Sequence, residues 1–323
     1  MIQKTSLING ISGQDGAYLA EYLLSKNYRV IGISRNNSLN NFHGLKYLGI
    51  RDKVEVLHID LSDANQCIEL YKNFKIDEFY NLGAQSSVSY SFEYPTETIQ
   101  YNVLSVLHIL DAIRKINPES KFYQASSSEM YGKIDTLPIA KDSALHPISP
   151  YGISKATGHW LVNQYREAFG LYAASGILFN HESYLRADSF FVKKVIKSAI
   201  EIKKKNLDVL RVGNIDIKRD FGFAKEYVKA IWLMMQLDQP EDLQVCSGTS
   251  ISLKQIVHYV FDHFQLDHDL IIQDINLFRP AEIDDIYGDN TAMKAKGWTY
   301  DYTFFNILDI LIAEELQNDG IRG

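Results

Sequence analysis

The chain has few cysteines, few prolines and no excess of positive charge, and each shortage removes a class of protein. Its two cysteines, Cys67 and Cys246, stand far apart in 323 residues and match neither a zinc nor a redox spacing. A disulfide framework is excluded, and a reducing cytoplasm is the simplest compartment. Only seven prolines and no low-complexity tract or repeat argue against a flexible linker or a solenoid. A net charge of −7 lacks the basic footprint of a partner for nucleic acid or acidic lipid. No apolar run is long enough to span a bilayer. The opening "MIQKTSLING" passes straight into a strand-like segment and leaves no room for a signal peptide. What remains, 46% hydrophobic and 23% charged, is the composition of a globular protein with one large or two closely packed domains.

The first half alternates short β-rich runs with helical stretches. Strands are expected at "SLING" (6–10), "RVIGIS" (29–34), "VEVLHID" (54–60), "EFYNLGA" (78–84), "KFYQASS" (121–127) and "AASGILFN" (173–180). Most are apolar throughout, as strands covered on both faces should be. In the helical run 97–116, Ile99, Val103, Val106, Leu110 and Ile113 fall on one stripe of a 3.6-residue period. Strands joined by helical crossovers imply an α/β fold, a doubly wound parallel sheet of Rossmann type over 1–178. Beyond Asn180 the rhythm breaks, so 179–323 is expected to form a smaller mixed α/β substrate lobe. Segments of it, about 217–242, should return to the main sheet.

"NGISGQDGAYLAEYLL" follows the first strand and opens a helix, with Gly10, Gly13 and Gly16 spaced GxxGxxG. Strand, tight turn and helix in that order suit a dinucleotide pyrophosphate on a helix amino-terminus. At the end of the second strand, where NAD-binding chains place an acidic residue, this chain has Arg35 followed by Asn36, Asn37 and Ser38. A cation with amide donors fits a ribose 2′-phosphate, so NADP is the expected cofactor. Asp60 and Leu61, ending the third strand, are placed to hold the adenine, or Asp60 caps the next helix. "NLGAQ" (81–85) would run beneath the cofactor ribose, its small residues allowing close approach.

"SPYGISK" sets Tyr151 and Lys155 four residues apart on a helix, facing one side. A tyrosine exchanges a proton with a sugar hydroxyl, and a neighbouring ammonium is expected to lower its pKa by favouring phenolate. Upstream, "SSSE" ends the fifth strand at the crevice where a doubly wound sheet binds its ligand. His258, His263 and His268 lack the i,i+4 spacing of a helical metal pair, so no metal is expected. His181 is read as a satisfied structural histidine.

Longer segments make the pattern specific. "GISGQDGAYLAEYLL", "FYNLGAQSSVSYSF", "KFYQASSSEMYGK", "SPYGISK", "GILFNHES", "GNIDIKRDFGFAKEYVKAIWLM" and "FRPAEID" resemble the GDP-mannose 4,6-dehydratase family, within the extended short-chain dehydrogenase/reductase superfamily of nucleotide-sugar enzymes. That resemblance implies an NADP-dependent hydro-lyase acting on GDP-mannose or a close relative such as a GDP-manno-heptose. It places Ser127, Glu129, Tyr151 and Lys155 at the catalytic positions. Tyr151 would take the C4 hydroxyl proton, Glu129 the C5 proton, and Ser127 would hydrogen-bond the C4 oxygen. Water leaves from C6, and the hydride removed at C4 returns at C6. The resemblance adds Gln14, Asp15, Leu82, Ala84 and Ser86 to the cofactor contacts. It assigns Ser87, Asn180, Glu182, Lys194, Arg219, Arg279 and Glu282 to the GDP-sugar, and it implies a homodimer or homotetramer. A GDP-sugar 4-reductase or epimerase on the same scaffold is the alternative. Three departures stand out: Ser127 where the family commonly has threonine, "YLRA" (184–187) where it is PRRG-like, and a short stretch after Arg35.

Overall fold

Apolar runs flanked by turns become the strands, and where a run meets a polar turn the strand stops. The computed structural model describes residues 3–35 and 42–318. Its first half holds β1 (Thr5–Asn9), α1 (Gln14–Ser25), β2 (Arg29–Ser34), α2 (His43–Tyr47), β3 (Glu55–His58), α3 (Ala64–Asn73) and β4 (Glu78–Asn81). Next come α4 (Val88–Glu93), α5 (Pro95–Ile116), β5 (Lys121–Ser127), α6 (Pro150–Phe169) and β6 (Ala173–Leu178). The remainder holds β7 (Asn180–Glu182), α7 (Phe191–Lys203), β8 (Leu210–Val212), β9 (Lys218–Arg219), β10 (Phe221–Phe223), α8 (Ala224–Met234) and β11 (Asp242–Val245). It ends with β12 (Ile251–Ser252), α9 (Leu253–His263), β13 (Ile271–Gln273), α10 (Thr291–Ala295) and α11 (Phe304–Asn318).

Among the described residues, seven strands form one sheet in the order β11-β6-β5-β4-β1-β2-β3. Every pairing in it is parallel, as a doubly wound sheet requires. Side chains alternate across it. Leu7, Phe79 and Phe122 pack under α3, α5 and α6, while Ile8, Tyr80 and Tyr123 face α1 and α8. The later segments form three two-stranded ladders, β10 with β7, β12 with β9 and β13 with β8. The stretch from α8 onward returns to the sheet: α8 lies on α1, and β11 extends the edge beside β6.

Two expectations change. The run 173–180 breaks at Phe179 into β6 and β7, so that Asn180 and Glu182 sit on a separate ladder with β10. On α5, Val106, Leu110 and Ile113 are buried as expected, but Ile99 is exposed and Ile109 and Ala112 join the core. The cause is packing against both α3 and α6, which buries a wider sector than a single stripe.

Candidate active site

The carboxyl ends of β1, β4 and β5 open onto one crevice, and a row of amides ties them together. Asn9 Nδ2 donates to Asn81 Oδ1 at 2.7 Å, and Asn81 Nδ2 to Gln124 Oε1 at 2.8 Å. Just beyond Asn9, Gly10 adopts φ +86°, and a Cβ there would lie 2.7 Å from Gly83 N. A Cβ on Gly16 would come within 2.2 Å of Gly10 O. Gly13 is the N-cap of α1 and brings no side chain. The turn therefore offers bare backbone donors at a helix amino-terminus, which fits a dinucleotide pyrophosphate.

The other expected cofactor residues are arranged less uniformly. Gln14 and Asp15 direct their side chains to the later lobe: Gln14 Nε2 donates to His181 O, and Asp15 Oδ2 faces His181 Nε2. Arg35 is exposed at the end of β2, its guanidinium 3.7 Å from the centre of the Tyr101 ring. Asn36, Asn37 and Ser38 lie outside the described residues. Asp60 is exposed and accepts from Ser62 N at 2.9 Å and Ser62 Oγ at 2.7 Å. The cap of α3 is Asp63, which accepts from Asn65 N and Gln66 N, so the capping reading of Asp60 is corrected. The Leu61 side chain is wholly buried, which leaves its backbone rather than its side chain for any adenine contact. Leu82 and Ala84 are half-buried and Ser86 is exposed, on a loop pinned at Gln85, whose N donates to Asn102 Oδ1 and whose O accepts from Asn102 Nδ2. Asn102 also donates to Ser154 on α6 at 3.0 Å. It is a buried amide within an apolar helix, a signal passed over in reading the sequence.

Ser149 caps α6 and Pro150 starts it, which sets Tyr151 and Lys155 in its first turns, both buried. Lys155 Nζ donates to Ala125 O at 2.8 Å and stands 5.7 Å from the centre of the Tyr151 ring. Ser127 ends β5, and its Oγ accepts from Glu129 N at 3.2 Å. Glu129 is half-buried, and its charge acts on both Tyr151 and Arg219. The expectation of a lowered tyrosine pKa is overturned for the protein alone. Burial, with Glu129 and Asp15 adding to it, pushes Tyr151 up to about 12 against the Ser127 hydrogen bond and the charge of Arg186. Burial likewise takes Lys155 down to about 8, with Asp15 opposing it. Desolvation is the largest cause of both shifts.

Of the expected substrate residues, Arg219, Arg279 and Glu282 come together. Glu282 Oε1 accepts from Arg219 Nη2 at 2.8 Å and Arg279 Nη1 at 3.1 Å. Arg219 is also fixed by Ile283 O and Lys218 O. Beside it Asp220, buried and pushed up to about 6 by that burial, accepts from Ser247 N and Gly248 N. Asn180 and Glu182 share β7, and burial raises the Glu182 pKa against Arg186 and His181. Ser87 caps α4 through Tyr90 N. Lys194 stands apart, donating to Arg211 O at the α7–β8 edge. Arg186, which the sequence reading did not select, lies 3.7 Å from Glu182 Oε2. Asp15 Oδ1, Glu182 Oε2 and Arg186 Nε are all buried without a hydrogen-bond partner among the described residues. These polar atoms, on three residues coupled by charge, need a water or a ligand to complete their hydrogen bonds.

Among the described residues no group of three or more His, Cys, Asp or Glu is placed to hold a metal ion, and no helix is long and apolar enough to cross a membrane.

Comparison with known proteins agrees with this geometry. The family described as "GDP-mannose 4,6 dehydratase" matches residues 7–311. The chain is 39% identical to GDP-mannose 4,6 dehydratase 1 of Arabidopsis thaliana, covering 98% of this chain and 90% of that one. Among solved structures it is similar to the dTDP-glucose 4,6-dehydratase of Streptomyces venezuelae with NAD bound, with a TM-score of 0.86, 17% identity and 98% of each chain covered. It is also similar to RMD of Pseudomonas aeruginosa complexed with NADPH, with a TM-score of 0.81, 23% identity, 98% of this chain and 100% of that one. At those identities the structures support the doubly wound fold alone.

Proposed function

The chain belongs to the GDP-mannose 4,6-dehydratase family, and from that premise and the site geometry we propose that it converts GDP-mannose, or a close GDP-sugar such as a GDP-manno-heptose, to the 4-keto-6-deoxy sugar with loss of water. The single observation that carries this reading is Glu129, half-buried next to Ser127 and acting electrostatically on Tyr151. A simple reductase has no use for a second base there. A bound nicotinamide dinucleotide supplies the hydride acceptor and donor. Tyr151 receives the C4 hydroxyl proton as its phenolate. Burial opposes that form in the protein alone, and the charges of Lys155, anchored on Ala125 O, and of an oxidised nicotinamide would favour it. Ser127 orients the C4 oxygen. Glu129 removes the proton at C5 once C4 is a ketone and passes it to the C6 hydroxyl, which departs as water. The hydride taken from C4 then returns at C6 and a proton at C5.

The Gly10–Gly16 turn is the seat of the pyrophosphate, and Arg35, stacked on Tyr101, favours NADP over NAD. The solved neighbours hold NAD or NADPH, which supports a nicotinamide cofactor of either kind. Arg219 and Arg279 suit the nucleotide's diphosphate, because a planar guanidinium matches phosphate oxygens. Exposed Ile99 on α5 and Ile153 and Trp160 on α6 support a homodimer through that face, with a tetramer needing further contacts. Cys67 and Cys246, buried and unpaired, suit the cytoplasm.

Mass spectrometry of products tests the reading. Incubation with NADP and GDP-mannose should yield a product lighter by one water with no net NADPH change, and UDP-glucose should react little. A site built for one base leaves polar groups unpaired with another. Stoichiometric NADPH formation from NADP, the reverse of a 4-reductase, would favour the reductase alternative, and equal kcat/KM for UDP-glucose would remove the GDP assignment.

A further inference from the structure

Two consecutive side chains of the dinucleotide turn reach across to the strand that carries the substrate-side residues. Gln14 Nε2 donates to His181 O at 3.0 Å, and Ser183 Oγ donates to Gln14 Oε1 at 2.7 Å. His181 Nε2 faces Asp15 Oδ2 at 2.8 Å, and His181 Nδ1 faces Phe179 O at 2.7 Å. A carbonyl only accepts, and so does an ionised carboxylate, so both ring nitrogens must carry hydrogen. The geometry therefore holds His181 as an imidazolium within a buried ion pair.

The surroundings agree. Burial works against the His181 charge, but Asp15 outweighs it and raises the histidine above its ordinary value, with Arg186 opposing. Burial would raise Asp15, yet the charge and hydrogen bond of His181, together with Arg186, bring it below the usual carboxylate range. The charged and titratable groups that face the pair are Arg186 and Glu182 from β7 and its loop, Tyr227 from α8, Tyr123 from β5, and Tyr151 and Lys155 from α6. For Lys155, Asp15 is the charge that opposes the effect of burial.

We propose that His181 and Asp15 are positioning residues for the reaction: the imidazolium clasps the dinucleotide turn to the strand carrying Asn180 and Glu182, and it holds the Asp15 carboxylate where it acts on Lys155. Without that carboxylate, Lys155 loses its proton at lower pH, while Tyr151, which Asp15 also raises, is released from one of the charges that oppose its phenolate. The pH window follows from the two shifts. His181 is raised, so its stabilisation is complete below 6.5 and is lost as pH rises through the folded value. Asp15 is lowered, so its share is present above 3.8 and is lost as pH falls through the folded value.

Nitrogen-15 NMR of histidine-labelled protein reads the ring without any turnover, with His181→Gln assigning the resonance. Both His181 nitrogens should stay protonated above the ordinary histidine pKa, and Asp15→Asn should bring the titration down. The kinetic arm rests on the dehydratase reading. There Asp15→Asn should move the alkaline limb of the kcat profile to lower pH and lower kcat more than it raises KM. A neutral His181 in the wild-type protein, or an unmoved alkaline limb in folded Asp15→Asn, overturns the proposal. Absence of any turnover in the wild type counts against the dehydratase reading instead, while the NMR result still decides this one.

Discussion

The two ends of the central sheet both bury carboxylates, and they treat them in opposite ways. At the amino end Glu78, 1% exposed, accepts from Lys4 Nζ at 2.8 Å, Tyr28 Oη at 3.1 Å, Tyr80 Oη at 2.6 Å and Gln236 Nε2 at 3.4 Å. At the carboxyl end, among the described residues, Asp15 Oδ1 has no hydrogen-bond partner, and neither do Glu182 Oε2 and Arg186 Nε, which lie 3.7 Å apart as an ion pair. A buried carboxylate held by several donors is costly to disrupt, whereas one short of hydrogen bonds lowers stability. The contrast is between a satisfied network and a region with unmet polar atoms. It also implies that mutations at the two ends should have different consequences, stability at one and activity at the other.

The largest effects belong to the carboxyl end. Tyr151→Phe removes the only proton acceptor assigned to the C4 hydroxyl, so both hydride transfer and product formation should fall by at least ~10²–10⁴-fold. Glu129→Gln is nearly isosteric and should cost a similar factor in dehydrated product while leaving oxidation at C4 possible. A single turnover should then accumulate NADPH, and C5 exchange from deuterated water should nearly stop. Neither variant should shift the unfolding midpoint appreciably. If Glu129→Gln still exchanges C5 at the wild-type rate, Glu129 is only a polar neighbour, and the epimerase alternative gains.

At the amino end the expectation reverses. Glu78→Gln turns one acceptor oxygen into an NH₂ donor and leaves Tyr28, Tyr80 and Lys4 competing for the other. Hydrogen bonds to charged groups contribute about 1.5–3 kcal/mol each. The half-exposed Lys4 contributes less than the two buried phenols, so a loss of about 2–4 kcal/mol in urea unfolding is expected. Steady-state kcat below the transition should be unchanged. A fall in kcat without a fall in stability would erase the distinction between the two ends.

What was legible in the sequence was local. Gly10 to Gly16, Ser127, Tyr151 and Lys155 each lie within one strand–turn–helix or strand–loop unit, so spacing and order reveal them. Helix periodicity gave the α5 core approximately and misplaced Ile99, because a period does not report how many neighbours a helix has. β11, a four-residue strand, was too short to show a pattern and was met only as the end of a returning segment. What could not be read were pairings across the chain. His181 and Asp15 are 166 residues apart, and Asn102 meets Ser154 across 52. The lowered tyrosine pKa failed for a related reason: burial is a property of the assembled site, and it outweighs a neighbour's charge that the spacing alone suggests.

The smallest effect expected at the carboxyl end is also the one that decides the cofactor. Arg35 is exposed, and its guanidinium rests on the Tyr101 ring, so in the protein alone it contributes little beyond that stacking. Arg35→Ala should therefore leave the unfolding midpoint almost unmoved, unlike Glu78→Gln. Its consequence should appear only when a 2′-phosphate is present: NADP binding should weaken by about 1.5–3 kcal/mol, the range for hydrogen bonds to charged groups, and NAD far less. Titrating both cofactors against both proteins separates the cases. Equal losses for NADP and NAD would mean that Arg35 supports the loop through Tyr101 rather than reading the phosphate. A selective loss for NADP would place Arg35 with the carboxyl-end groups whose role appears only when a ligand arrives.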